Sequence, residues 1–138
     1  MVTKAFYAGG FLFNPDNRSV LIHLRDDKTP VHPNQWGLFG GMNEGSESPA
    51  ECFTRELHEE LGLSVEKDLV VPLRDYFNEA RGTWRYVFYV KSNIEKTKLH
   101  LTEGADFDWV PLDKVFSLDL TEKTRSDIEF FLKSTYKE

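Results

Sequence analysis

Three carboxylates crowd together in the stretch "GMNEGSESPAECFTRELHEELGL", residues 41–63: Glu56, Glu59 and Glu60. Carboxylates at that density could hold a hard divalent cation, which takes oxygen ligands, or draw a proton from a water molecule. Gly40 and Gly41 stand ahead of them, and glycine lets backbone carbonyls approach a bound ion closely. The clustering needs an explanation, because like charges three or four residues apart on a helix repel. Arg55 can pair with Glu59 four residues on, but Glu60 has Glu56 at that spacing.

The element that must position these groups is a helix over residues 49–61. Ser48 suits its N-cap, Pro49 its first position, and Glu51 completes a capping box. Gly62 is a natural stop, since glycine adopts the left-handed conformation readily. At roughly 100° per residue, Ala50, Phe53, Leu57 and Leu61 form one stripe that faces the core. Glu56, Glu59 and Glu60 fall in a sector of about 100° beside that stripe, where a groove can form. Helical geometry alone leaves two readings open: a solvated acidic face, or a site for divalent cations.

The surrounding chain reads as strands joined by short turns. "AFYAGGFLF" and "SVLIHL" are strands around an "NPDN" turn, and residues 26–35 form a polar loop. "WGLFGG" is a short strand. "LVVPLRDYF" and "TWRYVFYVKS" form an antiparallel pair joined near "NEARG". In the second of these, Trp84, Tyr86 and Phe88 share one face, and Arg85, Val87 and Tyr89 share the other. After "LTEGADFDWVPL", residues 121–136 have helical spacing, with Ile128, Phe131 and Leu132 as the buried stripe. Strands interspersed with two helices predict an α/β (α+β) sandwich around a mixed sheet.

With 138 residues, the chain fits one domain, 1–138, able to bury an ordinary core. Its net charge of −6 and pI near 5.2 argue against binding a nucleic-acid polymer, which needs a basic face. An acidic protein can still take a small polyphosphate if divalent cations mediate the contact. No apolar run suits a membrane span, and "MVTKAFYAGGFLF" lacks the features of a signal peptide. Cys52 is the single cysteine, which excludes an internal disulfide. These features fit a cytoplasmic protein. His23, His32 and His100 have no zinc-site spacing, and Cys52 has no evident histidine partner for a nucleophile role.

The spacing from Gly41 to Leu63 resembles the Nudix box, G-x5-E-x7-R-E-U-x-E-E-x-G-U with U a bulky aliphatic. Gly41, Glu47, Arg55, Glu56, Leu57, Glu59, Glu60, Gly62 and Leu63 fill every specified position. Length and strand pattern are similar to small MutT-like members over nearly the whole chain. The resemblance implies an α/β/α sandwich with a central mixed sheet and two main helices. It also implies hydrolysis of a nucleoside diphosphate linked to another group, with Mg2+ or Mn2+ as cofactor. The metal ligands implied are Glu56, Glu59, Glu60 and the Gly40 carbonyl, with Glu47 an outer acidic position acting through water or by pairing with Arg55. Glu59 and Glu56 are the candidate catalytic carboxylates, Arg55 an orienting residue.

Glu103, in "TEGADFDW", is similar to a glutamate that reaches the metals from another loop, with Asp106 and Asp108 as weaker alternatives. Arg25 is the candidate phosphate contact. Where many relatives have Phe-Pro-Gly-Gly before the box, this chain has Leu38-Phe39-Gly40-Gly41, which places a large ring, Phe39, beside the metal loop as a candidate substrate contact. The substrate classes implied are nucleoside triphosphates, oxidised ones included, and nucleotide sugars. The competing expectation is a Nudix-fold module that senses a nucleotide without cleaving it. Small Nudix proteins often dimerise, so a homodimer is among the expected assemblies.

Overall fold

Side-chain alternation gives the sheet two apolar faces. In β1 (Phe6–Asn14), Phe6, Ala8 and Leu12 enter one core, and Phe11 and Phe13 enter the other. The computed structural model describes residues 4–28, 33–102 and 104–134. Among them, seven strands form one mixed sheet and two α-helices cover its faces, so the chain has the α/β/α arrangement expected.

The sheet is split, and the split positions the site. β1 and β2 (Ser19–Leu24) pair antiparallel only near their turn, Leu12–Asn14 against Leu21–Ser19. Beyond that they part, and the segment from β3 (Trp36–Gly37) to β4 (Phe39–Met42) fills the gap. β3 pairs with His23 and Leu24 of β2, while β4 pairs with Tyr7–Gly10 of β1. Gly40 is needed there: its φ is 157°, and a Cβ would collide with the Ala8 carbonyl and the Gly9 Cα.

On the other side of β1, β6 (Thr83–Lys91) runs parallel to it. β5 (Val71–Asn78) then pairs antiparallel with β6. β7 (Asp106–Pro111) flanks the far side of β2, in a stretch whose sequence pattern assigns no element.

The first helix, α1 (Pro49–Leu61), has the ends its sequence specifies. Glu51 N–H donates to Ser48 Oγ (3.2 Å), Ser48 N–H donates to Glu51 Oε1 (2.8 Å), and Gly62 is left-handed at φ 69°. Phe53, Leu57 and Leu61 are fully buried against the sheet. Burying each such side chain stabilises by about 1.5–3 kcal/mol. On the opposite face lies α2 (Glu122–Ser134), with Ile128 and Phe131 buried and Leu132 half-buried. The Phe131 ring meets Phe11 and Phe13 edge-on at 5.1 Å. No helix among the described residues is long and apolar enough to cross a membrane.

Candidate active site

The carboxylates of α1 lie where the sheet splits. Arg55 gathers them: its Nη1 donates to Glu56 Oε2 (3.0 Å) and Glu59 Oε2 (3.1 Å), and its Nη2 to Glu47 Oε1 (2.8 Å) and the Met42 carbonyl (3.1 Å). The Arg55 guanidinium holds the Glu47 carboxyl down at about 2. Three neighbouring carboxylates, Glu47, Glu59 and Glu56, in turn raise the Arg55 pKa above its ordinary value, hydrogen bonding to Glu47 foremost. Glu47 and Arg55 thus form an ion pair.

Glu60 is only 5% exposed, and a buried carboxylate must be met by donors or cations. Its Oε2 accepts the Gly40 N–H at 3.0 Å. Glu56 lies along the strand beside Gly41, where a Cβ would stand 2.5 Å from Glu56 Oε2. A side chain at position 41 would push that carboxylate from its place.

The donor chemistry fits a hard divalent cation: three carboxylates beside a glycine pair, all oxygen ligands. Among the described residues no three acidic, histidine or cysteine side chains are preassembled at cation-sharing distance. Arg55 and the Gly40 N–H hold the oxygens instead. Glu103, the expected contribution from another loop, lies outside the described residues. Asp106 and Asp108 are drawn towards Lys96, at 3.3 and 3.9 Å.

Glu60 also borders a cleft of about 810 Å³. The split lets this α1 side chain reach a space bounded on the opposite face by the start of α2. Tyr7, Arg85 and Asn78 contribute from β1, β6 and β5, Thr121, Lys123 and Thr124 from the start of α2, and His23 and Arg25 from the end of β2. Arg25 therefore stands at the cleft. Lys28 and Arg81 add further positive charge. The Arg85 guanidinium lies over the Tyr7 ring, 4.6 Å from its centroid. Burial pushes the Tyr7 phenol up to about 12, so it is a neutral hydroxyl at physiological pH.

Phe39 requires correction as a substrate contact. Its ring has no exposed surface and sits in the core with Phe53 and Leu57. The alternation of β4 turns it inward, where it stacks behind His23 at 5.1 Å. It supports a wall of the cleft without reaching the cleft. Trp84 is 41% exposed on the sheet face away from Arg85 and bonds Asp75. His58 is exposed, and burial pushes the Cys52 thiol up to about 12, which suits no nucleophile.

Sequence reasoning missed Asn78, Arg81, Arg85 and Lys123. Arg85 carried a signal, an arginine alternating with Val87 and Tyr89 on a core-facing strand side. Its partner could not be read. Fully buried Asp127, on α2, accepts from Arg85 Nη2 (2.7 Å), Arg74 Nη2 (2.8 Å) and the Tyr76 hydroxyl (3.0 Å).

Comparison with known proteins agrees with this geometry. A family model described as the NUDIX domain matches residues 3–132. The chain is 35% identical over 105 residues to the nucleoside triphosphatase NudI of Enterobacter sp. (strain 638), covering 69% of this chain and 74% of that protein. Among solved structures, a MutT protein from Methanosarcina mazei Go1 superposes with a TM-score of 0.76 at 20% identity, covering 99% of this chain and all of that one. A bifunctional NMN adenylyltransferase/ADP ribose pyrophosphatase from Francisella tularensis, complexed with AMP and a Mn ion, matches with a TM-score of 0.72 at 19% identity, over 96% of this chain and 42% of that one. These two likenesses establish the fold, while the match over residues 3–132 and the NudI relative establish more: the chain belongs to the Nudix family and is a pyrophosphohydrolase.

Proposed function

We propose that the protein cleaves the diphosphate link of a nucleoside triphosphate, oxidised forms included, or of a nucleotide sugar, in a reaction dependent on Mg2+ or Mn2+. One observation carries this reading: a single cleft joins the buried Glu60 corner to Arg25, Lys28, Arg81, Arg85 and Lys123, in a protein whose net charge is −6. Cations concentrated in one cleft of an acidic molecule suit an anionic substrate. The NudI relative, a nucleoside triphosphatase by name, favours the triphosphate class.

Glu56, Glu59 and Glu60 would hold the cation, with the Gly40 carbonyl beside them and Glu47 one step out, behind Arg55. When bound, such an ion neutralises phosphate oxygens and acidifies water. The chain's own groups do the rest. Glu59 or Glu56 accepts the proton of the attacking water, and Arg55 orients both carboxylates by donating to each. Arg25 and its cationic neighbours bind the phosphates and turn the phosphorus towards that water. Glu103 stays a candidate for the same proton. The cytoplasm, where nucleotide pools lie, is the compartment this reading assigns.

The test is incubation of the purified protein with a nucleotide panel, with Mg2+, with Mn2+ and with chelator, measuring phosphate and pyrophosphate release. Release from at least one nucleotide, abolished by chelator, is expected. Binding without release by any member would instead support a nucleotide sensor.

A further inference from the structure

Two glycines let the Tyr7 ring lie down along the cleft face of the sheet. Tyr7 and Gly9 share one face of β1, and Gly9 stands opposite Gly40 of β4. A Cβ at Gly9 would collide with the Tyr7 ring and hydroxyl. A Cβ at Gly40 would stand 2.8 Å from that hydroxyl oxygen. One C–C bond of about 1.5 Å joins such a Cβ to Gly40 Cα, so the oxygen lies within about 4.3 Å of that Cα. The phenol therefore ends at the corner where Glu60 Oε2 accepts the Gly40 N–H at 3.0 Å. The Arg85 guanidinium lies over the ring, 4.6 Å from its centroid, and Asp127 holds Arg85 by two hydrogen bonds.

This hydroxyl is unbonded and open. Among the described residues it has no hydrogen-bond partner. Among the same residues, Asn78 Oδ1 is the one side-chain polar atom both sealed from solvent and unbonded. The Tyr7 oxygen, on a half-buried residue, thus keeps accessible surface. Tyr7 lines the same cleft as Gly40 and Glu60. Burial acts most on its pKa, then the charges of Arg85 and Glu60, and the phenol stays protonated at physiological pH. The carboxylates at this corner offer acceptors alone. A phosphate oxygen that leaves water there needs donors as well as cations, and a neutral O–H supplies one.

We propose that the Tyr7 hydroxyl donates a hydrogen bond to a non-bridging oxygen of the phosphate processed at the Gly40–Glu60 corner, which makes Tyr7 a phosphate-binding residue of the active site. This inference rests on the diphosphate reading of the cleft. The phosphate is the part of the substrate that comes nearest Gly40, because the Gly40 carbonyl and the Glu60 carboxylate are the proposed cation ligands. Arg85 and the two glycines fix the ring beforehand, so little freedom is lost when the contact forms.

The experiment compares the wild type with Tyr7→Phe, which keeps the ring under Arg85 and removes the hydroxyl alone. Hydrolysis of the nucleotide panel is measured in Mg2+. Calorimetric titration in the same buffer uses methylenediphosphonate, a diphosphate that lacks a base and resists hydrolysis. In the variant, kcat/KM and methylenediphosphonate affinity are each expected to fall about tenfold to a hundredfold. The Tm of the ligand-free variant should stay level or rise, since no bond within the protein is lost. Tyr7→Met makes the same measurements if the phenylalanine variant fails to fold. Either quantity at the wild-type level in the variant overturns the proposal and leaves the proposed function standing. A fall in kcat/KM with methylenediphosphonate bound as by the wild type does so by moving the contact to the ribose or base. If the wild type neither cleaves a nucleotide nor binds methylenediphosphonate, the diphosphate reading itself fails and the assignment of Tyr7 falls with it.

Discussion

Glu60 and Glu47 show how two box glutamates, one buried and one half-buried, can do different work. Glu60 is 5% exposed and faces the cleft, with its Oε2 on the Gly40 N–H. Glutamine in its place keeps an oxygen for that N–H and loses only the charge. Glu60→Gln should therefore fold normally, as circular dichroism and Tm report, while kcat falls roughly a hundredfold or more. Turnover like that of the wild type would remove Glu60 from the proposed ligand set. Glu47, by contrast, spends its charge on Arg55. Hydrogen bonding to Arg55 brings its pKa from an ordinary 4.5 down to about 2. A carboxyl lowered on folding contributes stability that is fully present above pH 4.5 and is lost as pH falls through 4.5 towards 2. Thermal unfolding followed across that window should show a steep acid loss in the wild type. Arg55→Met, which removes the cause of the shift, should show a shallower one. Parallel pH profiles for the two proteins would contradict the assignment.

At the scale of elements, α1 is a helix whose ends are specified locally, and that makes it testable one residue at a time. Ser48 Oγ accepts the Glu51 N–H at 3.2 Å. Ser48→Ala removes that acceptor and should cost about 1 kcal/mol in denaturant unfolding, with activity unchanged because no cleft residue moves. A cost below a few tenths would mean that the cap is solvated and idle. The same locality explains what could be read beforehand. The N-cap, the core stripe of Phe53, Leu57 and Leu61, and the C-terminal glycine all lie within one helix length, so periodicity and capping found them. The β5–β6 pair was legible for the same reason, being joined by a short turn.

What was not legible depends on residues far apart in the chain. The wedge of β3 and β4 between parted strands follows from pairings to β1 and β2 that no local pattern encodes. Phe39 was misjudged there, since proximity to Gly40 along the chain says nothing about which face its ring takes. Asn78 looked like an ordinary turn residue, and only the packed hairpin shows its Oδ1 to be an orphan. The cationic floor was hidden likewise, because Arg85 finds its partner 42 residues away.

For the molecule as a whole, that partner is the joint between the second helix and the site. Asp127 is fully buried and accepts from Arg74, Arg85 and Tyr76 together, tying α2 to β5 and β6. The helix also brings Thr121, Lys123 and Thr124 to the rim of the cleft. Its own start is fixed by the Thr121 hydroxyl, which accepts the Thr124 N–H at 3.2 Å. One carboxylate thus serves both as a core contact and as the anchor of Arg85 on the cleft floor. Removing a single partner from a buried ionic group is costly, because the remaining charges stay behind without compensation. Two guanidiniums would be left against a neutral amide with no carboxylate to balance them. Asp127→Asn should therefore cost about 3 kcal/mol in denaturant unfolding, and it should raise KM as well, since Arg85 is freed to leave its place over Tyr7. The pair of Asp106 with Lys96 is a built-in comparison, with both side chains about half exposed at 3.3 Å. Solvent screens that pair, so Asp106→Asn should change stability by less than about 0.5 kcal/mol. Equal losses in the two variants would show that burial is not what gives Asp127 its weight. A stability loss in Asp127→Asn without any change in KM would confine Asp127 to the core and leave Arg85 held at the cleft by other means.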